Sequence, residues 1–80
     1  RDLLGISNQF TDMRGNHICC RPEELEFVDN GTVKGIVKHE EFLGFYRQYY
    51  VETETHENII VRTDRDVKKE VGKEIQLQVK

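Results

Sequence analysis

Eighty residues with 36% hydrophobic and 34% charged side chains and no tryptophan describe one small globular domain, which at this size buries only about 60% of its unfolded-chain surface. Twelve Lys and Arg against fifteen Asp and Glu leave a net charge of -3, which counts against nucleic acid, whose affinity for proteins comes largely from a basic surface. No apolar run approaches the roughly 20 residues of a membrane-spanning helix, and the N-terminus has no signal-peptide layout.

The chain opens on Leu3-Leu4-Gly5-Ile6, followed by a polar stretch to Gly15 in which Phe10 and Met13 are the large apolar residues. This reads as an edge strand plus loop, and the abrupt RDLLG start suggests a piece of a longer chain. Asn16 to Arg21 is the next strand, ended by Pro22, which lacks a backbone donor. Cys19 and Cys20 are adjacent. Neighbours on a strand face opposite ways, so the expected state is a reduced, cytoplasmic thiol pair.

Pro22-Glu23-Glu24-Leu25 suits one helical turn, with Pro first and two acids near its positive end. Phe27 and Val28 return to the core before the Asn30-Gly31 turn signal. The stretch from Gly31 to Gly44 then reads as one long bent strand. A bulge or glycine kink partway would switch its parity and let Val33, Val37 and Phe42 share an interior.

Phe45 to Glu54 forms the following strand, hinged on Gly44. Phe45, Tyr49, Val51 and Thr53 share the face read as inward, and Tyr46, Gln48, Tyr50 and Glu52 the other. After a polar turn at Thr55 to Asn58, Ile59-Ile60-Val61 completes a hairpin and ends near Thr63. Asp64 to Lys73 is a charged loop anchored by Val67 and Val71. Glu74 to Lys80 alternates cleanly, with Ile75, Leu77 and Val79 inward. Five or six short strands, glycine turns and a turn or two of helix predict a small all-β barrel.

The chain has no phosphate loop, dinucleotide fingerprint, nucleophile elbow or HExxH. His17, His39 and His56 are scattered and match no zinc spacing with the cysteines; only His17 and Cys19 could share a strand face. The pairs Glu23-Glu24 and Glu40-Glu41 diverge in direction and are expected to be solvated. Phe45, Tyr46, Tyr49 and Tyr50 resemble a base-stacking platform, but on an acidic chain core and interface packing accounts for them better. The outward Tyr46 and Tyr50 suit a protein contact. Arg21 has two readings: a local ion pair with Glu23 or Glu24 that fixes the turn, or a bidentate site for a partner's carboxylate. A second hypothesis is an oxyanion sensor drawing on Arg21, Arg47, Lys34 and Lys38, and a third is a nucleic-acid-binding module. The candidate contacts are therefore Arg21, Glu23, Tyr46, Arg47 and Tyr50, with no catalytic, cofactor or metal residue expected in this stretch.

The order Arg21-Pro22-Glu23-Glu24-Leu25, Gly31-Thr32-Val33, Glu41-Phe42-Leu43-Gly44, Ile59-Ile60-Val61-Arg62, then Val71-Gly72-Lys73-Glu74-Ile75 resembles the transport-associated OB domain, type 2. Leu3-Leu4-Gly5 with Asn8 and Phe10 is similar to the junction where such domains leave an ATPase. The resemblance implies a five-stranded OB-type barrel with one short helical turn over 16–80, after a junction or edge segment over 1–15. It implies a cytoplasmic module at the end of an ABC importer's ATP-binding subunit, peripheral to the inner face of the cell membrane. The partners implied are the parent ATPase domain, a second copy of the subunit and, indirectly, membrane-spanning importer subunits; ATP and magnesium would belong to the parent. Roles in relatives include dimer contacts, docking of regulators and oxyanion feedback. The span from Phe10 to Arg21 is shorter than in sugar-importer ATPases, and the wording is closest to iron(III) and polyamine importers.

Overall fold

The computed structural model describes residues 7–80, so the Leu3-Leu4-Gly5-Ile6 entry of the edge segment expected over 1–15 lies outside the described residues. Seven strands and one 3-10 turn follow in order: β1 (Asn8–Thr11), β2 (His17–Cys20), the turn Pro22–Glu24, β3 (Leu25–Val28), β4 (Val33–Phe42), β5 (Tyr46–Thr53), β6 (Asn58–Asp64) and β7 (Glu74–Val79). The fold is all-β, with more strands than the expected five or six. β1 and β2 form a separate hairpin, and the other five make an antiparallel sheet in the order β3-β7-β4-β5-β6. Among the described residues no ladder joins β3 to β6, so backbone pairing does not close the sheet into a barrel.

β4 organises the sheet because it pairs with β7 through its first half and with β5 along most of its length. Its register slips between Val37 and His39, the expected bulge. Val33, Gly35 and Val37 face the core before the slip, and parity then changes. The position gained by the switch is filled by Glu40, which meets the Tyr49 hydroxyl at 3.0 Å. Phe42 has the same parity but lies beyond the rim of the core and is 56% exposed, which corrects its expected interior place.

Two glycines permit close approach of chains. A Cβ on Gly31 would overlap the Leu77 carbonyl, and one on Gly35 would sit 2.5 Å from the Glu52 carbonyl oxygen. Gly44 differs in having φ +87° and open space around it, as a tight hairpin turn requires.

The core gathers Phe10, Leu25, Val33, Val37, Tyr49, Val51, Ile59, Val61 and Leu77. Period-2 reading holds for Tyr49, Val51 and Thr53, all buried, but fails for Phe45, which is 90% exposed because it lies in the turn ahead of β5. Gln48, read as outward, is buried beneath side chains of the outer face. Val71 and Val79 are exposed instead of anchoring the interior, since they lie at or beyond the ends of the pairing that covers Leu77.

The free edge of β6 is blunted by side chains. Asn8 bonds both backbone groups of Ile60, donating to its carbonyl at 2.7 Å and accepting from its amide at 2.9 Å, which removes a template for edge pairing.

Candidate functional site

The 3-10 turn begins at Pro22, with its φ set in advance, and Glu24 accepts a bond from the Arg21 amide at 2.7 Å. Arginine has no acceptor to return, so only the carboxylate half of a capping box forms. That geometry leaves Arg21 Nε to pair with Glu23 at 3.0 Å. The local ion pair between Arg21 and Glu23 is thus present in the structure. Glu23's own amide and the Arg21 guanidinium hold its carboxyl below the usual carboxylate range.

From this turn a chain of polar contacts runs across the outer face of β6, β5 and β4. Glu23 meets Arg62 at 3.9 Å. Arg62 stacks over the Tyr46 ring at 5.1 Å and donates to Gln48 Oε1 from Nε and Nη2. Gln48 donates to the Tyr50 hydroxyl at 3.1 Å, and Tyr50 in turn donates to Glu41 at 2.6 Å. That bond to Glu41 is the main reason the Tyr50 hydroxyl titrates above its ordinary value. The His39 ring lies 5.4 Å from that of Tyr50.

Four of the five residues singled out in the sequence, Arg21, Glu23, Tyr46 and Tyr50, thus meet in one network. The fifth does not. Arg47 has the opposite parity on β5; its Nη1 pairs with Glu40 at 3.1 Å, its Nε donates to the Arg65 carbonyl, and its guanidinium covers Phe42 at 5.0 Å. The joining residues, Arg62 and Gln48, escape a reading of single strands. The Thr55–Asn58 turn carried the signal, because the register it sets puts Gln48 opposite Arg62 and Tyr50 opposite Ile60.

Within the network both guanidiniums reach Glu23, while Glu24 is held by the Arg21 amide and Glu41 by the Tyr50 hydroxyl. Of the cations proposed for an oxyanion, Arg21, Arg47 and Lys38 each hold a carboxylate, Lys38 through Glu52 at 3.8 Å. An anion bound there would have to displace these acids. Lys34 lines a different recess, beside Asp12 and Thr53.

Beside the network, a groove of about 420 Å³ lies between β3 and β6, where no ladder bridges the sheet. Leu25, Phe27, Tyr46 and Val67 give it an apolar lining, with three acids, Glu23, Glu26 and Asp64, and two bases, Arg62 and Lys80, around it. Past Tyr46 the β4–β5 turn projects Phe42, Leu43 and Phe45, all exposed. The parity argument missed this apolar tip by assigning Phe42 and Phe45 to the interior.

The adjacent thiols diverge, with Cys19 exposed and Cys20 buried, and both are free. Burial pushes the Cys20 thiol up in pKa. Among the described residues no group of three or more His, Cys, Asp or Glu is placed to hold a metal.

Comparison with known families gives a match to the TOBE domain over residues 18–80. No curated protein and no solved structure matches the chain at significance.

Proposed function

The chain belongs to the TOBE domain family, and on that premise we propose that it is the non-catalytic regulatory and dimerisation module of an ABC importer's ATP-binding subunit. The five-stranded sheet, bent at the β4 bulge, is then an OB-type barrel whose β3–β6 side stays unpaired. The parent subunit would bind ATP and magnesium in its own ATPase domain, at the cytoplasmic face of the membrane beneath the membrane-spanning subunits. This domain's part is to hold two subunits near each other, raising the effective concentration at which their ATPase domains meet.

The observation that carries this reading, besides the family match, is a polar and aromatic outer face, its arginines already paired with Glu23, ending in an exposed apolar turn. Such a surface suits a protein partner better than an anion or a nucleic acid strand. The sequence encoded immediately before Arg1 tests the assignment. A Walker lysine and an ABC signature are expected there, and an upstream domain of another class would sink it. Deleting the domain from such a subunit should weaken dimer formation while leaving the ATP site able to bind nucleotide.

A further inference from the structure

We propose that the Asn30-Gly31 step is a latent modification site, an asparagine that converts to aspartate or isoaspartate, and that Gln76 holds it silent while β7 is seated between β3 and β4.

The chemistry belongs to the pair itself. Once the Gly31 N–H has given its proton to a base in solution, the nitrogen bonds to the Asn30 side-chain carbon Cγ. The Cγ–Nδ2 bond breaks, and ammonia leaves with a proton taken from water, closing a succinimide ring. Water then opens either carbonyl of the ring, giving aspartate or an isoaspartate whose main chain runs through the side-chain carbon. One water is consumed and one ammonia released, with no change of oxidation state. Asparagine before glycine reacts readily because glycine has no Cβ to screen the attacking nitrogen.

The fold keeps this pairing and guards it. A Cβ at Gly31 would overlap the Leu77 carbonyl and lie 2.9 Å from Val28 Cγ2, so glycine is required there. Asn30 is exposed to water and base. The control falls on the nitrogen, since the Gly31 N–H donates to Gln76 Oε1 at 2.8 Å. An acceptor held against that N–H favours the protonated form and disfavours the anion that attacks.

Gln76 lies within β7, opposite Val28 on β3 and Lys34 on β4. In the sheet β7 is the strand that joins β3 to β4. The Gly31 amide is therefore held only while β7 is in place, and an opening that draws β7 out releases it to react. The mark is one-way. Aspartate sets a new charge beside Asp29, and isoaspartate lengthens the main chain just ahead of Gly31. With Gly31 packed against the Leu77 carbonyl, a lengthened turn cannot return it to both Leu77 and Gln76, so the marked chain should melt at a lower temperature.

The test follows Asn30 by peptide mass spectrometry in the 80-residue chain at mildly alkaline pH, with electron-transfer fragmentation separating isoaspartate from aspartate. Conversion in native buffer should be at least ~10-fold slower than in urea, because local opening must come first. Gln76→Ala should raise the native rate about 5-fold, the population shift of one lost hydrogen bond, and leave the rate in urea unchanged. Gln76→Glu, which keeps an acceptor, should stay near the parent. Tyr49→Phe, which loosens the core elsewhere, should accelerate conversion less than Gln76→Ala does. In the parent chain, hydrogen exchange at the Gly31 amide should be slowed to a comparable degree, since both reactions need that N–H released; this comparison requires no variant to fold. Absence of conversion at Asn30 in urea overturns the site. Equal rates in native buffer and urea, or a Gly31 amide that exchanges freely, overturn its protection. Gln76→Ala without effect, or Tyr49→Phe accelerating conversion as much, overturns the role of Gln76.

Discussion

Arg62 donates to one acceptor, Gln48 Oε1, from both Nε at 3.1 Å and Nη2 at 3.0 Å. The two residues face each other across the β5–β6 ladder, and Gln48 passes the contact on to Tyr50. One cross-strand pair thus couples the 3-10 turn to the far side of the sheet.

Lysine cannot reproduce this fork, because its ammonium is a point donor on a flexible stem. Arg62→Lys should lower stability by about 1 kcal/mol, the scale of one partly exposed charge-assisted hydrogen bond. Urea denaturation would show a lower midpoint at unchanged slope. A double-mutant cycle with Gln48→Ala should give a coupling of at least ~0.5 kcal/mol; additive effects would mean the pair is not coupled in solution.

Tyr49 is fully buried, and its hydroxyl ties the 64–73 loop to the core. It accepts from the Lys69 amide at 2.9 Å and lies 2.8 Å from the Val67 carbonyl and 3.0 Å from Glu40. Tyr49→Phe keeps the ring but strands these partners, which should cost about 1–3 kcal/mol. Hydrogen exchange at the Lys69 amide should accelerate by more than the global loss of stability accounts for.

Gly35 and Gly44 should respond differently to alanine. At Gly35 the new Cβ meets the Glu52 carbonyl oxygen at 2.5 Å and Val51 Cγ1 at 2.7 Å, so backbone must move, and Gly35→Ala should prevent stable folding. At Gly44 nothing lies within 4 Å. Only the left-handed conformation is penalised, at about 1–2 kcal/mol. Thermal melts of the two variants would separate these causes.

Asp12 gives the domain an acid-sensitive turn. Bonds from the backbone amides of Asn16 and Arg14, at 2.8 and 2.9 Å, hold its carboxyl below the ordinary 3.8, Asn16 contributing most. A carboxyl depressed on folding contributes stability that is present above its unfolded pKa and lost as pH falls through the folded one. Stability should therefore decline on acidification below about pH 4. Asp12→Asn should be the less stable protein at neutral pH and should converge with the parent in acid, as measured by denaturation across that range.

Much of the fold was legible because it rests on local rules. The Pro22 turn, the bulge in β4, the β5–β6 hairpin and β7 follow from proline geometry, glycine position and period-2 alternation. The two sides of the Cys19-Cys20 step follow from strand geometry alone. What failed did so at element ends. Phe42 and Phe45 have the parity of core residues, but Phe42 is the last rung of the β4–β5 ladder, past the rim of the core, and Phe45 lies in the turn beyond it.

The sequence by itself determined the all-β class, the places of β2 and of β4 to β7, though not β3, and four members of the polar face, since alternation and turn chemistry depend on near neighbours. Its ordered motifs also pointed to the family that the 18–80 match bears out. Only the tertiary structure decided that Arg62 and Gln48 join those four, that Arg47 does not, and that an apolar turn stands beside a groove. Each depends on which strands pair and in what register. The β5–β6 register is set locally by the Thr55–Asn58 turn, but the pairing of β4 with β7 and the burial of Val33, Tyr49, Val61 and Leu77 in one core are long-range.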